Sequence, residues 1–331
     1  MLASFLTGSG FVNEELNGVV VSSDLFGETT LFELHSKVCE SLSKHNAAAI
    51  QLQYNAVPEV LSARYVPYRY CRFGLTDSNE YSGFIHVYRD WERSEGGIRQ
   101  DKILKIHSFN TKPEVIQAQF LADGKDYRGQ IAVLRLDDEF IYPLATVDPA
   151  LEDCDTEALI KKFKNSELSS GFFMKYILYH TNFDNEQEQR EFKELMQRFM
   201  GGDSTGRVLM AEGSFDENGS LEKANNFQLQ KIEQNINDKL FESYEKSVAN
   251  NIRKALLNIP SILIEQQEGG FFGSSGEAYI QAFNLYNAMT TKMRASISAW
   301  YAKLFARSNN PVLKNGNFTI KNLTYGTVDV S

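Results

Sequence analysis

The most regular pattern in the chain lies toward its end. Ile236, Leu240, Tyr244, Val248, Ile252 and Leu256 recur every four residues, the spacing of one face of a helix. Lys239, Glu242, Lys246 and Arg253 line a second, charged face. The pattern predicts a helix from about Gln228 to Ile259, a rod of roughly 45 Å at ~1.5 Å per residue. Pro260 closes it, because the ring removes an N–H and clashes with the preceding turn. A second seam, through Tyr279, Phe283, Tyr286, Thr290, Met293, Ile297, Trp300 and Leu304, alternates steps of four and three. It predicts a long helix packed along its length, and its extent leads us to expect a second chain covering part of it. Ser274-Ser275-Gly276-Glu277 fits a capping box at its start, and Lys303 and Arg307 suit its C-terminal dipole.

The earlier residues have a different rhythm. Leu31, Leu34, Val38 and Leu42 sit at helical spacing within residues 29–46, with Asn46 as the stop. AAIQLQYNA reads as a short strand. YVPYRYCRFG, SGFIHVYRDW and DKILKIHSFN alternate apolar and polar positions between turn residues, which predicts a small antiparallel sheet. KPEVIQAQFLADGKDYRGQI reads as a short helix and a loop, and VLRLDDEFIYPLATVDP as strand or irregular chain. Residues 155–170 predict a helix capped by Asp155 or Thr156, burying Leu159, Phe163 and Leu168. GFFMKYILYH and GRVLMAEGSF read as strands around an acidic helix that begins at Asp184 and stops at Gly201-Gly202. This is a compact α/β insertion between two helices. Asn315-Gly316 between strand-like runs predicts a hairpin in the tail.

Composition narrows the function classes. The 331 residues are 42% hydrophobic and 23% charged, which suffices for a sizeable core. No apolar run is long enough for a membrane helix, and the first residues lack the basic and apolar regions of a signal peptide. Cys39, Cys71 and Cys154 are odd in number and far apart, the pattern of free thiols. The net charge of −9 argues against a protein that coats duplex DNA, which needs many Lys and Arg on phosphates. It leaves room for one that DNA passes through. No two histidines take zinc spacing, no GxSxG elbow occurs, and no cofactor, metal or catalytic set is expected. Asp137-Asp138-Glu139 reads as a solvated turn and WERSEGG as a loop tip.

Between the two long helices lies Glu265-Gln266-Gln267-Glu268-Gly269-Gly270-Phe271-Phe272-Gly273-Ser274. It has no Walker lysine, and its glutamates would repel phosphate. From the residues alone, a helical hairpin with the Phe pair buried as a plug and a projecting loop both remain open. The order of segments from about Tyr127 to Leu304 resembles the portal proteins of tailed bacteriophages. YRGQI and IYPLATVDPALEDCDTEALIKKF resemble the entry to a first stem helix. GFFMKYIL, GGDSTGRVLMAEG and LEKANN resemble the clip. NDKLFESYEKSVANNIRKALLNIPSIL resembles the second stem helix, EQQEGGFFGSSG falls where portals carry the tunnel loop, and GEAYIQAFNLYNAMTTKMRASISAWYAKLF resembles the long helix that follows.

The resemblance implies an α+β, portal-like fold: a wing of helices plus antiparallel strands at 1–152, a first stem helix at 153–170, an α/β clip at 171–227 and a second stem helix at 228–260. A tunnel loop at 261–276 and a long wing helix with a C-terminal hairpin at 277–331 complete it. It implies no enzyme, but a homo-oligomeric ring, a dodecamer at one capsid vertex of the virion, assembled in the host cytoplasm. Double-stranded DNA would pass through its channel during packaging and ejection. Terminase, a head–tail adaptor and the major capsid or scaffolding protein would be its partners, with no membrane. Lys239, Lys246 and Arg253 are the stem residues expected to face DNA. The alternatives are another phage assembly component, an adaptor or tail protein, or an enzyme with a small α/β catalytic module at 171–226.

Overall fold

A computed structural model describes residues 1–25, 27–75, 80–92, 97–169, 175–180, 186–187, 189–192, 194, 208–212, 227–232, 238–264 and 276–324. It forms two compact units, one of residues 1–151 with 250–331 and one of residues 152–249. The larger unit starts with two short helices, α1 (Leu2–Thr7) and α2 (Glu15–Gly18), and a hairpin of β1 (Val20–Asp24) and β2 (Gly27–Thr30). Helix α3 (Leu31–His45) follows. Its start is a capping box: Glu33 N–H donates to Thr30 Oγ1, and Thr30 N–H donates to Glu33 Oε2. Asn46 ends it in the left-handed region at φ 51°.

Six strands come next: β3 (Ala47–Tyr54), β4 (Val60–Val66), β5 (Cys71–Leu75), β6 (Tyr81–Val87), β7 (Leu104–Ser108) and β8 (Gln130–Arg135). They form one sheet in the order β4-β3-β8-β7-β6-β5. All neighbours are antiparallel except β7 and β8, joined through helix α4 (Pro113–Asp123). The sheet is therefore larger than the sequence pattern suggested. VLSARYV is a separate strand that stops before Pro67, whose missing N–H cannot continue a ladder. QIAVLR, read as the end of a loop followed by strand or irregular chain, is an inner strand. Gly129 enters it at φ +76°, where a Cβ would lie 1.9 Å from the Leu52 carbonyl oxygen. Only glycine permits that approach.

The smaller unit carries most of α5 (Leu151–Ser169), strands β9 (Lys175–His180), β10 (Val208–Glu212) and β11 (Phe227–Ile232), and the larger part of α6 (Asp238–Ala255). The described residues between 186 and 194 are helical. Strand β9 is central, parallel to β10 and antiparallel to β11. Three sequence expectations are corrected here. The helix expected from Gln228 starts at Asp238, because Phe227-Gln-Leu-Gln alternates with a period of two and pairs with β9. Helix α5 starts four residues before Asp155, directly after Pro149 in a short 3-10 turn. Thr156 is thus inside it, and its hydroxyl donates to the Glu152 carbonyl at 2.8 Å rather than capping. Among the residues of that helix whose side chains are described Ile160 is the buried one, Leu159 and Phe163 are exposed, and the side chain of Leu168 lies outside the described residues.

The chain returns to the larger unit through a turn at Ser261–Leu263 and helix α7 (Gly276–Phe305). The second seam lands on this helix as predicted, but its coverage differs from expectation. Phe283, Tyr286, Thr290, Ile297, Trp300 and Leu304 are buried within the one chain, in a core shared with Leu2, Phe5 and Leu6 of α1 and Leu34, Val38 and Leu42 of α3. The seam gives no argument for a second chain. The tail also departs from the expected hairpin. Asn310 caps a short helix, α8 (Pro311–Lys314), and Asn315 closes it by donating to Pro311. Residues beyond it run extended against the first residues. Ser9 and Val12 donate to Lys321 and Thr319, Lys321 donates back to Gly10, and Phe11 bridges Ile320 antiparallel.

Candidate functional site

Residues 265–274, the expected tunnel loop, and the capping Ser274-Ser275 lie outside the described residues, so the projecting and buried alternatives for Phe271 and Phe272 both stand. The approach to them is described. After α6 ends, Leu257 and Asn258 take φ 61° and 50°, and Ile259 N–H donates to the Arg253 carbonyl at 3.3 Å. This left-handed stop turns the chain before Pro260. Ile259 and Leu263 are buried, and the Tyr286 hydroxyl of α7 donates to the Leu256 carbonyl at 3.1 Å. Sequence reasoning assigned the stop to Pro260 alone. The two preceding residues perform it, at positions where non-glycine side chains are uncommon.

Of the three stem cations, Lys239 is described by its backbone alone. Lys246 is exposed, and Arg253 is half-buried and donates to Asn250 Oδ1. The apolar stripe of α6 is only partly buried: Val248 is covered, Tyr244 is 52% exposed, and Ile252 and Leu256 are half-buried. Within the smaller unit α5 and α6 are tied by Lys164 Nζ to Glu245 Oε1 at 2.5 Å. Leu159, Phe163 and Tyr244 therefore leave apolar surface on both helices. Strand β9 is paired on both sides. Among the described residues the edges of that sheet are β10 and β11.

The larger unit contributes polar surface where the expected strands YVPYRYCRFG and SGFIHVYRDW meet the WERSEGG loop tip. Trp91 Nε1 donates to the Tyr70 carbonyl at 2.8 Å, and the Arg72 guanidinium lies 5.4 Å from the Trp91 ring. Tyr70 and Trp91, with Arg69, Arg89, Asp90 and Glu92, border a concavity of about 500 Å3. The acidic triplet is a turn, with Asp137 accepting from Glu139 N–H and Asp138 3.4 Å from Arg135. His107 Nε2 lies 2.8 Å from Asp123 Oδ2. His35 is in the core, where burial lowers its pKa to about 4. Beside it burial raises the Cys39 thiol to about 12, well above the range of a reactive thiolate. Among the described residues no group of three His, Cys, Asp or Glu side chains is placed to hold a metal ion, and no helix is long and apolar enough to cross a membrane.

No protein-family model and no curated protein sequence matches the chain. Solved structures do. One is an HK97-family phage portal protein from Corynebacterium diphtheriae, 12% identical, covering 90% of this chain and 83% of its own, with a TM-score of 0.45. A chain in the neck of a native gene transfer agent particle, computed with C12 symmetry, is 13% identical over 93% of this chain and 76% of its own, with a TM-score of 0.47. A chain of the gene transfer agent virion covers 97% and 77% at the same identity and TM-score. The chain is similar to these neck and portal structures. By its own elements it is an α+β protein of helices and largely antiparallel sheet.

Proposed function

We propose that the chain is a portal-type head–tail connector subunit, a structural component that surrounds a DNA channel at a capsid vertex of a phage-like virion. The observation that carries this reading is the order of elements. Helix α5, a small mixed sheet and helix α6 form a unit of their own between the two parts of the larger unit. A left-handed stop, a glycine-rich segment and the 30-residue α7 follow. In this reading α5 and α6 are stem helices, the small sheet is the clip, and residues 261–276 are the tunnel loop. Leu159, Phe163 and Tyr244 face neighbouring copies in the ring. About a dozen copies assemble in the host cytoplasm, and DNA is packaged and ejected through them. Lys239, Lys246 and Arg253 guide the duplex without the dense phosphate pairing that would stall it. The chain needs no cofactor and catalyses no reaction.

Native mass spectrometry tests assembly, since a ring is far heavier than an adaptor or tail monomer; only monomers at high concentration would refute the reading. The loop has its own test. Replacing Phe271 and Phe272 with Ala in the same chain is expected to leave ring mass and melting temperature unchanged while packaged or retained DNA falls. If the rings instead plug a core, each truncation costs roughly 3–5 kcal/mol and the melting temperature drops.

The smaller sheet is the proposed docking end for terminase and adaptor, through β10 and β11, its edges among the described residues, because a sheet edge invites another chain. Removing residues 171–236, which takes all three strands together, is expected to abolish that docking and leave the larger unit folded. Docking that survives the deletion means another surface serves the motor.

A further inference from the structure

We propose that the β1–β2 hairpin of one copy seats its apolar tip in an aromatic trough on the next copy, an interface that rests on the ring reading and gives it a specific contact. Asp24 pairs with Gly27 across the hairpin, which leaves Leu25 at the tip with its side chain 94% exposed. The next residue in the sequence is Phe26. Tight hairpin turns favour Asn, Asp and Gly, whose backbones accept the required dihedrals. At that exposure Leu25 gains almost nothing from the fold of its own chain. The base of the hairpin is fixed. Arg64 Nη2 donates to the Ser23 carbonyl at 2.9 Å, and Leu31 N–H donates to the Val19 carbonyl at 2.8 Å. Strand β1 lies against β4. The hairpin therefore presents its tip from an anchored frame.

The receiving surface is at the other side of the six-stranded sheet. Strand β7 meets β8 at two residue pairs only, His107 with Gln130 and Ser108 with Ile131. Ala132 to Arg135 run on past that pairing. A trough of about 420 Å3 opens there, lined by Phe73, Tyr81, Phe84, Phe109, Val133 and Arg135. Tyr81 is 59% exposed. The sheet order places β4, and the hairpin beside it, at one edge, and β5 and β6 with the trough toward the other. A tip at one edge and a trough toward the opposite edge are unlike surfaces on one molecule. Their contact is heterologous, the kind that generates a ring when its rotation closes.

Charge favours the same pairing. Asp24 and Glu28 flank the tip, and no Lys or Arg occurs in residues 20–30. Around the trough stand Arg135, Lys105, whose ammonium is 4.0 Å from the Phe84 ring centroid, and Arg72, 5.9 Å from the ring of Tyr142, which in turn packs on Phe73. Asp138 is bridged to Arg135, and Asp137 and Glu139 belong to the same turn. Among the described residues that line the trough the one charged side chain is Arg135, and the charged residues of the hairpin itself are both anions. Opposed charges across a rim set register and partner choice.

The test uses the full chain and reads the concentration at which half of it is assembled, by analytical ultracentrifugation. Leu25→Asp and Tyr81→Asp each change an exposed side chain, so each should keep the parent's melting temperature. Each is expected to raise the half-assembly concentration roughly tenfold or more, as loss of a central apolar anchor does. Glu28→Lys and Lys105→Glu should each weaken assembly, and the double reversal should restore it. Parent-like assembly by both Leu25→Asp and Tyr81→Asp, or a double reversal no better than its singles, overturns the hairpin contact while the ring reading stands. A parent chain that never assembles removes both.

Discussion

Replacing Arg294 with methionine should destabilise the larger unit by about 3–5 kcal/mol. The side chain is buried in the middle of α7, with Nη1 donating to the Phe5 carbonyl at 3.0 Å and to Thr290 Oγ1 at 2.6 Å. Nη2 donates to the Asn287 carbonyl at 2.9 Å, Thr291 Oγ1 at 3.2 Å and Asn322 Oδ1 at 2.7 Å. One guanidinium thus joins the first helix, the long helix and the tail. Burial lowers its pKa from the usual arginine value, so the charge is held at a desolvation cost and offset by acceptors that are all neutral. Methionine matches the apolar stem and removes every donor. The carbonyl of buried Phe5 then loses its guanidinium donor, at about 1–3 kcal/mol. Lysine keeps the charge but not the planar fork and should fall between. Urea denaturation of the three proteins checks the order; a methionine variant within 1 kcal/mol of the parent, a margin of about one ordinary hydrogen bond, would show that the clamp is redundant.

The second large effect is pH-dependent. His35 Nε2 is 3.3 Å from the Thr7 carbonyl oxygen, which can only accept, so Nε2 carries the hydrogen. Nδ1 then accepts from the Tyr301 hydroxyl at 3.2 Å. Burial is the main cause of the lowered pKa, about 4 in the fold against 6.5 ordinarily. A depressed value means that the unfolded chain takes up the proton first. His35's contribution is therefore fully present above pH 6.5 and is lost as pH falls through about 4. The span corresponds to about 3 kcal/mol. His45 and His86 are also lowered by burial, with the same sign. Comparing the parent with His35→Gln isolates the one residue. The parent's stability should fall more steeply than the variant's between pH 6.5 and 4, and parallel curves would exclude His35 as the cause.

Both residues were in plain view in the sequence and neither could be assigned from it. Arg294 sits one residue past Met293 of the predicted seam and reads as a solvated cation; its acceptors come from residues 5, 287 and 322. His35 shares a helix face with Leu31, Leu34, Val38 and Leu42, and its place in the core follows from that periodicity, but Thr7 and Tyr301 do not. Local pattern did place α3, α7 and most of the strands, because their periodicity records which face is buried. It left QIAVLR split between a loop and a strand or irregular run, because its inner place in the sheet depends on a glycine passing close to Leu52. It also extended α6 over β11, since Gln228 to Ile232 is short enough to serve either element until β9 supplies a partner. Among the candidate site residues, the chemistry of 265–274 was legible as composition, whereas the trough and hairpin tip depend on a sheet order that no single segment contains.

The stitching of residues 9–12 to 319–321 sets a timetable for synthesis. Strands and α3 emerge from the ribosome early, but the core they share with α7 waits until Tyr301 and Phe305 are made. At about 5–20 residues per second, the interval from Leu151 to Tyr301 is roughly 8–30 s. Throughout it, Phe5, Phe11, Leu34 and Val38 lack their long-helix cover, and the smaller unit is completed first. The nascent chain must stay apart from its sisters for those seconds, and the last strand-like contact of the tail is the event that ends its exposure.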